Sequence, residues 1–328
     1  MEYRSSYERI NNVDDIETIS KMVCKDYKLG EYIGHTVMDI GYEDFNYMLL
    51  TTTDKYFVKI FNTDRDNESC ERLIKILTKS LENDVSTPKL HKCNNSYIYP
   101  FTINNESLKL FVMECIDGEN LYIHNRDLTL NELDNIANIA SKINTIDYNI
   151  KETFYDEWTL SNLKSEYEKK KEYLTSNDRE NIERILLQFE DIDFNDFKHC
   201  YIHGDIIKAN LIPNKLGDLY IIDFSVFNYL PRIIEVTVIL LGNCLTDDRK
   251  TTIERMNHFL KTYNGLNILD DTEIKNLPIF IKALAAMFII QTSYIKQTTA
   301  DDYLENKYWL VEGRKAIDMN ITNEELVL

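Results

Sequence analysis

The sequence predicts an α+β chain with two lobes, a small antiparallel sheet carrying one helix and then a larger, mainly helical part. Up to about residue 120, short runs rich in Val, Ile, Tyr and Phe alternate with turns, as strands do. Beyond that point apolar residues recur at helical spacing, and Gly118 in CIDGEN marks the change. These observations predict an N-terminal lobe at residues 1–114, a hinge at 115–121 and a C-terminal lobe at 122–328.

The N-terminal lobe is expected to contain two pairs of strands with a helix between them. NYMLLTTTDKYFVKIFN predicts a hairpin with strands Asn46–Thr52 and Tyr56–Phe61, and SYIYPFTINNESLKLFVMECI predicts two more strands around Asn104 and Asn105. Between the pairs, NESCERLIKILTKSLEND predicts an amphipathic helix. The residues on its apolar face are Cys70, Leu73, Ile74, Leu77 and Leu81.

The C-terminal lobe is predicted to be helical with one exception. TLNELDNIANIASKI begins with Thr129 and Glu132 at capping-box spacing, and NDRENIERILLQF and LPIFIKALAAMFIIQTSYI show the same helical periodicity. The exception is Tyr201–Phe224, where two short apolar runs flank a turn that contains Pro213 and Gly217. This segment predicts a β-hairpin set among helices.

The composition limits the cellular setting and the partners. A net charge of −18 and a pI near 4.8 argue against nucleic acid or an anionic membrane as a partner. Six scattered cysteines without a C-x-x-C pair favour reduced thiols in a cytoplasmic protein, and the polar N-terminus predicts no signal peptide. The most apolar segment, Ala283–Ile295, has only 13 residues, which is too short to span a bilayer and predicts a core helix.

Polar residues interrupt the apolar stretch CYIHGDIIKANLI. A polar side chain buried without a partner costs about 1–3 kcal/mol, so His203, Asp205 and Asn210 indicate chemistry rather than a plain core strand. Asp223 follows Asp205 by 18 residues, at the end of the second strand of the predicted hairpin. Two carboxylates and an amide at one hairpin suit phosphoryl transfer from a magnesium nucleotide. One carboxylate accepts the proton of the attacking hydroxyl, and the other two groups hold hard cations.

Lys59 in YFVKIF supports the same chemistry. Its neighbours Val58 and Ile60 point to the opposite face of the predicted strand. A lysine on an inward face of a strand requires an anion, and nucleotide phosphates together with a helix glutamate would supply it.

The order and spacing of these elements resemble the protein-kinase-like superfamily, in its aminoglycoside phosphotransferase and choline kinase branch. The H-G-D-x-x-x-x-N signature stands as HGDIIKAN, and IIDF is similar to the metal-binding aspartate segment. YFVKIF resembles the strand-three lysine segment and LFVMECIDGENL the hinge, so the resemblance covers residues 28–245. It implies a bilobal protein-kinase-like fold, with ATP and Mg²⁺ as cofactors. Asp205 would be the catalytic base, and Asn210 and Asp223 the Mg²⁺ ligands.

The resemblance also implies roles for residues of the N-terminal lobe. Lys59 would contact the nucleotide phosphates, and Glu114 and Ile116 would offer backbone groups of the hinge to the adenine. The glutamate partner of Lys59 is expected on the predicted helix. At 100° per residue Glu71 lies at the edge of its apolar face, whereas Glu68 points nearly opposite, so Glu71 is the predicted partner.

Several positions depart from the family pattern or need a role. The loop IGHTVMDIGYEDF contains Gly34 and Gly41 but no G-x-G-x-x-G. Lys208 stands three residues after the base, where protein kinases have a lysine two residues after it, and it either touches the transferred phosphate or faces solvent. Glu235 stands where the family usually has an aspartate that braces the catalytic loop, and His203 is expected to brace the same loop.

Together these observations predict an ATP-dependent small-molecule kinase that transfers the γ-phosphoryl group to a substrate hydroxyl and is aminoglycoside phosphotransferase-like. No A-P-E-like activation segment follows Asp223, which favours a small molecule over a protein as acceptor. Homoserine and choline or ethanolamine are alternative acceptors. Choline would need an aromatic cage, with Tyr294, Tyr303, Tyr308 and Trp309 as candidates. An alternative of another class is a non-catalytic, nucleotide-binding regulatory protein on a kinase scaffold.

Overall fold

The computed structural model describes residues 5–38, 44–124, 126–149, 151–298 and 304–327. Within these ranges the N-terminal part is an antiparallel sheet with helices and the C-terminal part is mainly helical, so the predicted α+β fold class is confirmed. Contacts between residues divide the chain into two compact units, Met1–Gly118 and Glu119–Leu328.

The N-terminal unit is built on a six-stranded antiparallel sheet. Its strands are β1 (Tyr32–Met38), β2 (Phe45–Thr51), β3 (Lys55–Ile60), β4 (Leu90–His91), β5 (Tyr99–Ile103) and β6 (Glu106–Glu114). They lie in the order β1-β2-β3-β6-β4, and β5 also pairs with β6. The two predicted strand pairs are confirmed as β2-β3 and β5-β6. The second pair turns at Asn104 and Asn105, both at positive φ, which asparagine tolerates and which two-residue hairpin turns require.

The two faces of this sheet are covered by different helices. Val58 and Ile60 of β3 are fully buried in a core that includes residues of α1 (Ile16–Tyr27). Lys59 points to the opposite face, together with Phe111, its partner on β6. Helix α2 (Asn67–Glu82) lies on that second face, because its Cys70 Sγ is 4.0 Å from the Nζ of Lys109, two residues before Phe111.

Helix α1 was not predicted, and the expectation of one helix on the sheet is corrected to two. Asp15 caps α1 by accepting a hydrogen bond of 3.0 Å from the N–H of Thr18. Ile16, Ile19 and Val23 are buried at spacings of three and four residues. The helical signal of α1 is therefore present in the sequence as the spacing of these apolar residues.

Helices make up most of the C-terminal unit. Those of the described residues are α3 (Leu130–Asn144), α4 (Leu163–Lys170), α5 (Ser176–Phe189), α6 (Arg232–Ile239), α7 (Arg249–Leu266), α8 (Asp271–Thr298) and α9 (Leu304–Met319). The three predicted helices are confirmed as α3, α5 and α8, and α3 begins with the predicted capping box.

Two short strand pairs interrupt the helices. The pair β8 (Leu211–Pro213) and β9 (Leu219–Ile221) is the predicted hairpin, and β7 (His199–Ile202) pairs with β10 (Asn228–Pro231). Both pairs are antiparallel, and together they frame the polar residues of the catalytic motif.

Helix α8 has 28 residues and is long and apolar enough, by length and composition alone, to cross a membrane. However, 67% of its most apolar window is buried inside the protein, as expected for the core helix that the sequence predicts. Its closest packing partners are α9, α5, α4 and α6.

All six cysteines are free thiols. Five of them are buried, namely Cys24, Cys70, Cys93, Cys200 and Cys244, whereas Cys115 is half-buried. Burial raises the pKa of the Cys115 thiol above its ordinary value.

Candidate active site

The predicted catalytic loop, residues 203–210, begins where β7 ends. Gly204 adopts φ +81, a conformation that favours glycine, and a Cβ atom there would lie 3.3 Å from the carbonyl oxygen of Val226. The backbone conformation and the close neighbour therefore explain why glycine stands between His203 and Asp205. The chain must turn sharply beside Val226 before it reaches Asp205.

Glu235 holds the start of this loop. Its fully buried carboxylate accepts hydrogen bonds from the backbone N–H of His203 at 2.8 Å and of Gly204 at 2.9 Å. Burial raises the pKa of Glu235 to about 7, against the two hydrogen bonds, which lower it. The expected bracing role of Glu235 is confirmed, and the side chain reaches the loop from the first turn of α6.

His203 is fully buried and braces the loop from inside. Its Nε2 donates to the carbonyl oxygen of Ile222 at 3.1 Å, and its Nδ1 accepts from the N–H of Asp205 at 3.3 Å. These partners fix the neutral tautomer with hydrogen on Nε2. Burial lowers the pKa of His203 to about 4, so the imidazole stays uncharged near neutral pH. Its role in the structure is positional, as expected.

A second support comes from the helical segment after α6. Leu240–Cys244 forms a π-helical turn, and Asn243 Nδ2 donates to the carbonyl oxygen of Ile206 at 2.6 Å. At Gly242 a Cβ atom would lie 2.6 Å from Cγ2 of Ile207. The loop is thus held by Glu235 at its start and by the close approach of the π-helical turn at Ile206 and Ile207.

Asp205, Asn210 and Asp223 are brought together by the β8-β9 hairpin. Asn210 directly precedes β8 and Asp223 follows β9, whose register pairs Leu211 with Ile221. The N–H of Ile222 donates to the carbonyl oxygen of Asn210 at 2.9 Å, which continues that register to the end of the hairpin where both predicted metal ligands lie. Asp223 has φ 62, a left-handed conformation that aspartate tolerates better than most residues.

Asn210 connects this end of the hairpin to the predicted base. Its Nδ2 donates to Oδ2 of Asp205 at 2.6 Å and to the Asp205 carbonyl oxygen at 3.0 Å. The amide nitrogen is thereby committed to Asp205. Within the described ranges, no hydrogen bond reaches Oδ1 of Asn210, so an oxygen donor remains for a cation.

Negative charge accumulates around Asp205. Burial is the largest cause that raises its pKa to about 8, followed by the carboxylate of Asp223. The hydrogen bond from Asn210 lowers this pKa, and the charges of Glu305 and Asp156 raise it further. A divalent cation bound here would relieve this repulsion between carboxylates.

The donor set fits Mg²⁺. Carboxylate and amide oxygens are hard ligands, and Mg²⁺ is usually held by one or two carboxylates together with phosphate oxygens and water. Among the described residues there is no group of three or more His, Cys, Asp or Glu that could hold a metal ion alone. Asn210 and Asp223 would therefore share the ion with the nucleotide.

In the N-terminal unit, the structure places Lys59 beside an unpredicted carboxylate. The Lys59 Nζ lies 3.9 Å from Oδ2 of Asp44, and Lys59 has a side chain that is only 12% exposed. Glu71 lies on α2 and is exposed. The pairing of Lys59 with Glu71 stays a prediction, and Asp44 is a neighbour that sequence reasoning missed.

The hinge residues lie at the end of β6. Glu114 is its last residue, and its N–H donates to the carbonyl oxygen of Lys89 at 2.8 Å, so that N–H is committed within the protein. The carbonyl oxygen of Ile116 accepts from Gly118 at 3.0 Å, while no backbone hydrogen bond from the Ile116 N–H occurs in the described part of the chain. Ile116 therefore has a backbone donor to offer.

Other predicted positions are less informative. Lys208 is half-buried, and burial lowers its pKa. Gly41 and Tyr303 lie outside the described residues. The ammonium of Lys170 lies over the ring of Tyr294, 4.8 Å from the ring centroid. Tyr308 packs edge-on against Tyr122 and Trp309. The described candidates for an aromatic cage are thus engaged within the protein.

Two solved structures are similar to this chain in fold. The amicoumacin kinase hAmiN, in complex with AMP-PNP, Ca²⁺ and Ami, is similar with a TM-score of 0.65 and 15% identity, over 94% of this chain and 97% of that one. The spectinomycin phosphotransferase APH(9)-Ia, in complex with ADP and spectinomycin, is similar with a TM-score of 0.65 and 14% identity, over 94% of this chain and 98% of that one.

A third similar structure is the choline kinase LicA from Streptococcus pneumoniae, with a TM-score of 0.59 and 16% identity, over 92% of this chain and 99% of that one. At such identities the likeness shows the fold. No curated protein sequence matches the chain. The model of the phosphotransferase enzyme family matches residues 36–266, which is more than half of the sequence. The chain therefore belongs to the phosphotransferase enzyme family, and the prediction that it is a phosphotransferase is confirmed.

Proposed function

We propose that the enzyme transfers the γ-phosphoryl group of ATP to a hydroxyl of a small cationic molecule, with an aminoglycoside-type acceptor as the first choice. The observation that carries this proposal is the hydrogen bond from Asn210 to Asp205 at the hairpin end that also bears Asp223. A base fixed beside two cation ligands is the arrangement that phosphoryl transfer from a metal nucleotide requires.

Asp205 acts as the base in this proposal. As the acceptor oxygen bonds to the γ-phosphorus, the bond from that phosphorus to the bridging oxygen of ADP breaks, and the hydroxyl proton passes to a carboxylate oxygen of Asp205. Asn210 orients the carboxylate, because its amide holds Oδ2 at 2.6 Å. It also favours the ionised form that can accept a proton.

Separate roles toward the cofactor are proposed for residues of each unit. Asn210 and Asp223 would hold Mg²⁺, which when bound neutralises charge on the phosphates. Lys59 would contact a phosphate, and the hinge at Glu114 and Ile116 would receive the adenine. The presence of Lys59, Asp205, Asn210 and Asp223 together favours an enzyme over a binding-only regulator.

The carboxylates around Asp205 support a cationic acceptor. Asp156 and Glu305 both lie close enough to raise the pKa of Asp205, and both belong to the C-terminal unit. Glu305 also accepts a hydrogen bond from Trp309 Nε1 at 3.4 Å. An amine-bearing acceptor would gain from this negative charge, whereas homoserine would need a fixed cation for its own carboxylate.

The free thiols and the use of ATP favour the cytoplasm as the location. The net charge of −18 gives no attraction to nucleic acid or to an anionic membrane.

The test is an ATP-consumption assay with Mg²⁺ against aminoglycosides, choline, ethanolamine and homoserine. We expect Asp205→Ala to retain nucleotide binding and to lose at least about a hundredfold in turnover, the usual contribution of a general base. Asp191→Ala, which changes an exposed carboxylate of the same unit, is the matched control. Full activity of Asp205→Ala would refute the assignment, and consumption with homoserine alone would refute the cationic acceptor.

A further inference from the structure

We infer that Asp44, rather than the helix residue Glu71, is the positioning residue for Lys59. This inference rests on the proposed function in one respect, namely that Lys59 contacts the nucleotide. The contact between the two side chains is a property of the N-terminal unit alone, and it can be tested without a nucleotide.

The sheet itself brings the two residues together. Asp44 directly precedes β2, and the β2-β3 register places Asn46 opposite Lys59. Asp44 stands two residues before Asn46 and therefore projects from the same face, diagonally across from Lys59. Arg9 Nη1 donates to the Asp44 carbonyl oxygen at 3.0 Å and fixes the backbone at this point.

The two oxygens of the Asp44 carboxylate have different surroundings. Oδ1 accepts from Arg65 Nε at 2.9 Å and from the N–H of Asn62 at 3.0 Å. Oδ2 is buried and accepts no hydrogen bond from the described residues. The ammonium of Lys59, at 3.9 Å, is in ion-pair range of this oxygen.

Burial decides between the two candidate partners of Lys59. Asp44 is 2% exposed, so its charge is poorly solvated and its second oxygen needs a cation. Glu71 is exposed, and an ion pair with an exposed carboxylate is weak because water and salt screen it. Arg65 and the N–H of Asn62 hold the Asp44 carboxylate in place, so Asp44 offers Lys59 a fixed partner.

This arrangement has a functional meaning. An ammonium anchored by a buried carboxylate keeps one position before and after the nucleotide binds, which reduces the ordering that binding must accomplish. Asp44 would thus do in this chain what the sequence analysis assigned to Glu71.

A double-mutant cycle between Lys59 and Asp44 tests the inference. The variants are Lys59→Met, Asp44→Asn and the double variant, with binding of AMP-PNP and Mg²⁺ measured by calorimetry. We expect Lys59→Met to weaken binding about tenfold, as loss of a charge-assisted contact does. Asp44→Asn should weaken it about fivefold in the wild-type background and less than about twofold in the Lys59→Met background.

The same cycle on helix α2 supplies the comparison. Glu71→Gln is expected to couple to Lys59→Met less strongly than Asp44→Asn does. Glu68→Gln, on the same helix and also exposed, is the control and should leave binding unchanged. Stronger coupling of Glu71 than of Asp44 overturns the inference, and so does an equal effect of Asp44→Asn in both Lys59 backgrounds, since that marks a merely structural role.

Urea unfolding of the same variants without nucleotide separates the two proposals. Coupling between Lys59 and Asp44 in the free energy of unfolding supports their pairing, whether or not the protein binds AMP-PNP. If the wild-type protein binds no AMP-PNP, the proposed function is refuted and the pairing is not. Absence of that coupling overturns the inference. If Asp44→Asn does not fold, Asp44→Ser, which also removes the charge but is smaller, takes its place in the cycle, and a lack of coupling there overturns the inference.

Discussion

Two buried glutamates of the C-terminal unit have opposite electrostatic environments. Glu235, under the catalytic loop, accepts hydrogen bonds from two backbone N–H groups, and burial raises its pKa to about 7. Burial would also raise the pKa of Glu166 on α4. Hydrogen bonds from Lys169 at 2.6 Å, from Lys170 at 2.8 Å and from Tyr155 at 2.5 Å outweigh that effect and lower the pKa to about 2.

The difference shows what neutral and charged partners can do for a buried carboxylate. Backbone N–H groups satisfy the oxygens of Glu235 geometrically but supply no net charge, so the site still resists ionisation. The lysines around Glu166 supply that charge, and Lys170 is itself buried, with Glu157 and Gln291 as further partners. The carboxylate under the predicted catalytic loop is therefore stabilised by hydrogen bonds from backbone N–H groups. The carboxylate on α4 is stabilised by ion pairs with lysines.

Removing the buried cation is the strongest way to break this contrast. Lys170→Met leaves Glu166 buried with one of its two lysines missing, and we expect a loss of about 3–5 kcal/mol in the free energy of unfolding. The control is Lys169→Met, because the Lys169 side chain is 56% exposed and its loss should cost about 1 kcal/mol or less. Equal losses in urea unfolding would show that burial does not distinguish the two lysines.

The pH dependence of stability should run in opposite directions at the two sites. The folded-state pKa of Glu166 is below its unfolded value, so its contribution is complete above about pH 4.5 and is lost as the pH falls towards about 2. The folded-state pKa of Glu235 is raised, so its contribution is complete below about pH 4.5 and is lost as the pH rises through about 7. Each change is on the order of 3 kcal/mol at most.

The measurement subtracts the unfolding free energy of Glu166→Gln or Glu235→Gln from that of the wild type between pH 2.5 and 8. The depressed pKa of His203 acts in an overlapping range and cancels in the difference for Glu166→Gln. For Glu235→Gln the comparison uses the range above pH 5, where His203 is neutral in both proteins. Two differences with the same slope would contradict the contrast between the sites.

Glu235→Gln should also disturb the catalytic loop itself. An amide offers one acceptor oxygen and turns its NH₂ towards the second backbone donor, so at pH 5 we expect a loss of about 2 kcal/mol in the free energy of unfolding. Turnover should fall as well, because Asp205 follows the braced residues directly. A variant with unchanged stability and unchanged turnover would show that the two hydrogen bonds do not hold the loop.

Gly242→Ala tests the close contact between the π-helical turn and the loop with the smallest change of side chain. The added methyl group would meet Cγ2 of Ile207 at 2.6 Å, and we expect a loss of about 1–2 kcal/mol from overpacking, together with reduced turnover. Gly265→Ala in α7 is the control, since no atom lies within 4 Å of its Cβ position, and it should be neutral or stabilising by up to about 1 kcal/mol. The stability of both variants is measured by thermal unfolding, and turnover by the ATP-consumption assay. A Gly242→Ala variant with unchanged stability would contradict close contact with the loop.

Local patterns in the sequence predicted most of the fold. The β2-β3 and β8-β9 hairpins, the capping box of α3 and the inward face of Lys59 all follow from residues near each other in the chain. Helix α1 is one of the elements that were not predicted, together with β1, β4, α4 and α7, although its apolar residues recur at helical spacing.

The missed parts of the candidate site depend on contacts between distant residues. Asp44 is 15 residues from Lys59, and nothing in its neighbourhood marks it as buried, since burial comes from Arg65, Asn62 and the sheet around it. No local pattern marks Asp156 or Glu305 as a neighbour of Asp205, because only the fold brings them towards it. Periodicity reports which face of an element is buried, but not which other element lies there.

The six thiols differ in burial, and this makes one of them more accessible to a covalent reagent than the other five. In the folded protein Cys115 is half-buried while the other five cysteines are buried, and it lies between Glu114 and Ile116, the two residues proposed to receive the adenine. An electrophile attached to an adenine-like fragment would therefore meet its thiol beside the ligand's own binding position. Because burial raises the pKa of this thiol, its reaction would depend on the adenine-like part holding the electrophile at the hinge, while the five buried cysteines would stay unmodified.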